Sequence, residues 1–291
     1  MGKLAAPKKS VLTAFLLPGT AIYSFVIVFP LIFALIFSLY KWSGGPNKTF
    51  IGLENYVNLI KDDNFWLAFK NNVTIMILCI IFQLGISFFL AILLSSKMMK
   101  IHKFHNVSIF LPVIVSPVVV GILWKIIFNR GMIDTVMESL GLSGLVRNWL
   151  GDPKVVVYSV AAVVVWQYLG IYLMIFLSGM QGIPEELYES AVIDGASGLQ
   201  KAFRITLPLM YDVIKVAVML SIAGNMKIFD HILVMTGGGP GKSSMVLAIY
   251  AYNNSFKMFK LGYANAISIG MIILSLAIIL ISRKIMPSSD N

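Results

Sequence analysis

Five stretches of this chain run for more than twenty residues without a charged side chain: 11–40, 71–96, 104–124, 155–184 and 261–282. A helix rises about 1.5 Å per residue and the hydrocarbon of a bilayer is about 30 Å thick, so each stretch is long enough to cross a membrane. A sixth, 205–228, is apolar apart from Asp212, Lys215 and Lys227. The runs are continuous rather than alternating, which excludes a β-barrel. Of 291 residues, 58 % are hydrophobic and only 12 % are charged. A soluble domain carries about 25 % charged residues, and a globule of this size could not hide so much apolar surface from water. The expectation is an all-α, polytopic membrane protein of six transmembrane helices in a lipid bilayer.

The net charge of +10 fits Lys and Arg in loops against anionic headgroups, with no nucleic-acid partner implied. The single cysteine, Cys79, cannot form an internal disulfide. Lys8 and Lys9 precede the first apolar run, but that run is too long for a signal peptide and lacks a small-x-small cleavage site. It reads as a retained first helix, with Pro18 and Pro30 near its ends or kinking it. Lys and Arg tie at ten on each side of the membrane, so the total does not orient the chain. Short segments weigh most, and Lys3, Lys8, Lys9, Lys97, Lys100 and Lys103 stand there without acids, which favours both termini inside. Apolar residues at helical spacing in the longer outer loops, such as Tyr56, Leu59 and Ile60, read as short interfacial helices.

Asp212 and Lys215 share a helix face, as do Lys227 and Asp230. The two pairs fall near opposite membrane surfaces, where snorkelling makes charge inexpensive. Deeper in the fifth run, Ser221 and Asn225 align four residues apart beside Gly224. The fourth run carries Trp166, Gln167, Tyr168 and Gly170, and the second carries Gln83. Such polar and aromatic side chains either bond to a neighbouring helix or line a wet pathway suited to sugar rings. All three histidines, His102, His105 and His231, read as loop residues, and no carboxylate lies near a helix midpoint. Ion-coupled carriers usually need such a carboxylate. A membrane enzyme lacks its nucleophile–base or metal set, so no catalytic and no metal residue is assigned. Residues 236–243, Thr-Gly-Gly-Gly-Pro-Gly-Lys-Ser, come close to a phosphate loop. The first glycine is missing and a proline sits where backbone N–H groups should point at phosphate, so a tight turn is expected.

The segment 183–208 is the most specific. Pro184 suits a first helical position, Glu185 and Glu186 complement the helix dipole, and Gly195 suits the left-handed residue that ends a helix. Gly198 permits a sharp turn before the chain re-enters the membrane near Pro208. A short helix with Leu187 and Ala191 on one face fits a partner's groove. Its acids Glu185, Glu186, Glu189 and Asp194 disfavour a seat on anionic lipid.

This segment resembles the EAA loop of binding-protein-dependent ABC importer permeases, through Glu189, Ala191, Gly195, Ile205, Leu207 and Pro208 at the family spacing. Ser190 replaces the middle alanine. Asp194-Gly195-Ala196, Phe229-Asp230 and the run 236–240 are similar to the carbohydrate-uptake branch, in particular to its maltose-type first permease. The resemblance covers essentially the whole chain, 1–291, as one transmembrane permease domain. It implies a non-enzymatic subunit, multi-pass in the bacterial plasma membrane, that forms half of a sugar pathway. Its partners would be a second homologous permease, two cytoplasmic ATPase subunits, an extracellular sugar-binding protein and a sugar. No cofactor is implied in this chain; ATP and Mg belong to the ATPase. Glu186, Glu189, Ala191, Asp194, Gly195 and Ala196 would form the ATPase-coupling helix and its turn. Trp166, Gln167, Tyr168, Gly170, Ser221, Gly224 and Asn225 would line the substrate pathway. Glycerol phosphate or a polyol is the alternative cargo. A phosphorylated cargo would call for cations, and only Lys125, Lys215 and Lys227 lie near the pathway. An ion-coupled carrier working alone is the alternative of a different class.

Overall fold

The computed structural model describes residues 9–95, 102–129 and 131–287. Lys3, Lys8, Lys97 and Lys100, used above for orientation, lie outside the described residues. The chain opens with α1 (Ser10–Phe37). An antiparallel hairpin follows, β1 (Tyr40–Trp42) and β2 (Lys48–Phe50), with Tyr40 opposite Phe50. Then come α2 (Glu54–Ile60) and the long α3 (Asp63–Ser95). Helices α4 (His102–Ile114) and α5 (Pro117–Asn129) form a bent pair, followed by α6 (Met132–Ser139) and α7 (Val156–Gln181). The segment singled out above holds α8 (Glu185–Ile193), and α9 (Gly198–Leu209) and α10 (Tyr211–Met226) follow. Two short helices, α11 (Asp230–Met235) and α12 (Leu247–Tyr252), lead to the last, α13 (Leu261–Ile285).

Among the described residues, helices α1, α3, α7 and α13 are each long and apolar enough to cross a membrane, and the count reaches six if each bent pair is one span. The third apolar run is not one helix, as expected from 104–124, but two helices meeting at 108°. Ser116-Pro117 explains the break. Proline fits the first turn of a new helix, where its missing N–H costs nothing, and Val120 N–H returns to the Ser116 carbonyl at 3.0 Å. The fifth run bends by 71° between α9 and α10. Two π-turns have a steric cause. Ser24–Val28 and Ala202–Thr206 each end two residues before a proline, Pro30 and Pro208. A proline ring clashes with the carbonyl four residues back, and a widened turn relieves that clash.

Packing divides the chain into two compact units, 1–62 with 251–270 and 63–250 with 271–291. In the first, the Asn55 amide donates to the Ser38 and Tyr40 carbonyls, at 2.7 and 3.1 Å. The Tyr263 hydroxyl donates to Asp62 at 2.6 Å. Gly262 lies so close to β1 that a Cβ there would run into the Tyr40 carbonyl.

In the second unit, α3, α7 and α10 share a core of Leu84, Ala91, Leu173, Phe176, Leu177 and Ala217, extended by Met210. Phe88 and Phe176 meet edge to face at 5.4 Å. Lipid tails are as apolar as leucine, so close packing and buried polar staples hold this core together. Asn71 and Asn72 are two such staples. The Asn71 amide donates to the Ser243 and Met245 carbonyls, at 2.9 and 2.8 Å. Asn72 donates to the Asn225 carbonyl at 2.9 Å and accepts from Leu247 N–H at 2.8 Å.

Candidate substrate cavity and coupling loop

The loop after α7 is built as local rules require. Pro184 sits one residue earlier than expected, at the N-cap, with Glu185 and Glu186 in the first turn. Helix α8 ends in a Schellman turn: Ala196 N–H bonds the Ala191 carbonyl at 2.8 Å, and Gly195 N–H bonds Val192 at 3.0 Å. Gly195 takes φ +73°, a left-handed conformation that glycine adopts without a Cβ penalty. The second turn differs from expectation. Ser197 and Gln200 form a reciprocal capping box, so Gly198 opens α9 rather than making a turn. Ala191 is buried and Ala196 half-buried, while Glu186, Glu189, Asp194 and Gly195 are exposed. Two apolar side chains stand out at the tip, Val192 at 59 % and Ile193 at 86 % exposure. The Tyr188 hydroxyl lies 3.0 Å from that of Thr206 and fixes the helix on the start of the next span.

A cavity of about 370 Å³ opens among α3, α7, α10 and α11. Of the expected pathway residues, Tyr168, Gly224 and Asn225 line it, together with Gln83, Tyr172 and His231. Trp166, Gln167, Gly170 and Ser221 are not among its lining residues. Trp166 is 45 % exposed and meets Trp124 edge to face at 5.5 Å. Gly170 is a packing glycine: a Cβ there would stand 2.6 Å from the Ile109 carbonyl oxygen. Ser221 is fully buried, and both its carbonyl and its hydroxyl accept from the Asn225 amide, at 2.8 and 3.2 Å.

Gln167 is committed elsewhere. Its amide donates to the Val115 carbonyl at 2.9 Å, at the break between α4 and α5, where a helix end leaves carbonyls unpaired. Its carbonyl oxygen lies 2.6 Å from His231 Nε2, so that nitrogen carries the proton. His231 is therefore not a loop residue: it lies in α11 and is 2 % exposed. His102 and His105 also fall within a helix, α4. Burial pushes the His231 imidazole down to about 4, partly opposed by the neighbouring Asp230 carboxylate. Lys125 Nζ donates to the Val234 carbonyl at 3.2 Å and is not among the residues that line the cavity.

Tyr172 was missed in the sequence, although its spacing of four from Tyr168 places both on one face of α7. The glycine-rich run folds as a turn. Gly237, Gly238 and Gly241 all take positive φ, and the Thr236 hydroxyl accepts from Gly238 N–H and from the Ser244 hydroxyl.

Residues 87–288 match the family of binding-protein-dependent transport system inner membrane components. A probable ABC transporter permease of Bacillus subtilis, YurN, is 38 % identical over 274 residues, 93 % of this chain and 94 % of the relative. AraP of the same organism, an arabinooligosaccharide transport permease, is 30 % identical over 280 residues, 94 % of this chain and 88 % of the relative. The crystal structure of a bacterial ABC transporter that imports alginate contains a chain of the same fold. It superposes with a TM-score of 0.81 at 23 % identity and covers 95 % of this chain and 94 % of that one. A family match across 202 of 291 residues, read with these full-length likenesses, places the chain in the binding-protein-dependent transport system family of multi-pass inner-membrane components.

Proposed function

We propose that this chain is the permease half of an ATP-driven importer of sugars or oligosaccharides. A second, homologous permease completes the pathway, and an extracellular binding protein delivers the cargo. Both termini lie inside and each bent helix pair is one span, giving six crossings. Two cytoplasmic ATPase subunits carry ATP and Mg, and each grips one permease loop. The observation that carries this reading is α8. It ends in a Schellman turn that fixes its direction. Its tip presents Ile193 at 86 % exposure among Glu186, Glu189 and Asp194. An apolar tip with an acidic rim is shaped for a protein groove with basic edges. Closing the ATPases then moves a rigid lever, and both sites bias one two-state element.

Sugar cargo is supported by the relatives' own cargo and by the cavity, where Tyr168 and Tyr172 offer ring faces and Gln83 offers an amide. The test is uptake of radiolabelled arabinotriose, maltose and lactose by host cells with and without this chain. The expected result is ATP-dependent uptake of at least one sugar, lost on deletion. Uptake that survives ATP depletion and follows an ion gradient would overturn the proposal.

A further inference from the structure

Gln83 is 2 % exposed and lines the cavity of about 370 Å³, yet no other described residue bonds its amide. The buried amides of Asn225 and Gln167 behave otherwise. The Asn225 amide is bonded to Ser221, and Gln167 is bonded at both ends. The Gln83 amide therefore opens on the cavity, with both its donor and its acceptor free for whatever enters.

The backbone at Gln83 gives a second, independent indication. It lies in a π-turn, Cys79–Leu84, within α3. Unlike the turns before Pro30 and Pro208, no proline follows this one, so ring clash does not explain the widening. π-turns inside helices recur at functional sites because the extra residue re-aims side chains. Across the cavity stands Gly224, with open space where a Cβ would be. The charged lining residues are Lys227 and Asp230, one of each sign and three residues apart, together with a His231 that is neutral at pH 7. A cargo with net charge finds no net counter-charge on this wall.

We infer that Gln83 is a cargo-binding residue, whose amide takes two adjacent hydroxyls of an uncharged sugar while the sugar ring lies against Tyr168 and Tyr172. The chemistry fits. A primary amide holds a donor and an acceptor side by side in one plane, and of two vicinal hydroxyls one can accept from its N–H while the other donates to its oxygen. The inference rests on the proposed function and deepens it, by naming the α3 side chain that reads the cargo and the groups it reads.

The test uses the assembled importer in proteoliposomes with its binding protein. It measures kcat/KM for uptake of radiolabelled arabinotriose, maltose and lactose, and then of singly deoxygenated analogues of the sugar transported. In the wild type, at least one analogue should be transported about 10- to 100-fold less efficiently, the worth of one or two hydrogen bonds to a buried group. Gln83→Leu should bring the parent sugar down by a similar factor and make that analogue equal to it. Gln83→Asn, one carbon shorter, should fall between the two and serves if the leucine variant does not assemble. A merely structural role would lower parent and analogue alike and leave their ratio at the wild-type value, and that result overturns the inference. Wild-type kcat/KM in both variants overturns it as well. Failure of the wild type to move any of the sugars overturns the sugar reading itself, and the inference with it.

Discussion

Replacing Asn72 by alanine tests how this membrane core is held. Asn72 is fully buried on α3. Its amide donates to the Asn225 and Met226 carbonyls, at 2.9 and 3.3 Å, and its oxygen accepts from Leu247 N–H at 2.8 Å. These are end groups of two helices, carbonyls from the last turn of α10 and an N–H from the first turn of α12, and the Asn225 carbonyl also accepts from Ile228 N–H at 3.3 Å. Asn72→Ala takes a partner from all three where little water can replace the amide. At about 1–3 kcal/mol per unsatisfied buried group, and less for carbonyls that keep a second interaction, the loss is about 3–5 kcal/mol. For a chain of this size each kcal/mol moves a melting midpoint by about 2–4 °C, so the expected fall is on the order of 10 °C. The assay is heat-induced loss of the monodisperse peak for the purified complex in mild detergent. Thr74→Ala is the control, because its hydroxyl bonds only the Lys70 carbonyl of its own helix. A fall for Asn72→Ala no larger than that of the control would refute the reasoning and show that these groups find partners readily.

Further outcomes follow from the same geometry. Gly262→Ala should cost about 1–3 kcal/mol or abolish accumulation, since its Cβ meets the Tyr40 carbonyl, which is backbone and cannot swing aside; Gly85→Ala, with open space at the Cβ, should be neutral or stabilising by up to about 1 kcal/mol, and membrane expression levels separate the two. His231 has a folded-state pKa near 4 against an ordinary 6.5, so the unfolded chain binds the extra proton first as pH falls. Stability should hold above pH 6.5 and drop by about 2–3 kcal/mol by pH 4; melting midpoints against pH should show this slope in the wild type and lose it in His231→Gln. Gly195→Val forces a β-branched residue to φ +73° and should distort the end of α8 while the membrane helices stay folded, seen as a normal elution profile with weakened ATPase capture.

What the sequence made legible is the part dictated by local rules. The uncharged runs located the helices, and the pattern Pro184-Glu185-Glu186 through Gly195 gave a short capped helix with a left-handed stop, as found. Ser116-Pro117, an N-cap and first-turn pair, carried the break in the third run but was outweighed by the unbroken apolarity around it. Side-chain destinations were less legible. Gln167 looks like a pathway amide from its neighbours Trp166 and Tyr168, yet its partners are Val115 and His231, 52 and 64 residues away. Asn72 and Leu247, 175 residues apart, give no local sign of each other. Such staples close only once helices are packed, so spacing along the chain does not encode them. Gly170 shows the same limit, because its reason is the backbone of Ile109 on another helix.

The most direct measurement of the central claim is to purify this chain, tagged, from membranes of its native host in mild detergent, beside a Gly195→Asp variant, and to identify what comes with it. The account predicts that an ATPase subunit and a second permease accompany the wild type, and that the ATPase is lost from the variant while the permease pair remains. A chain that purifies alone and moves cargo unaided in liposomes would contradict it.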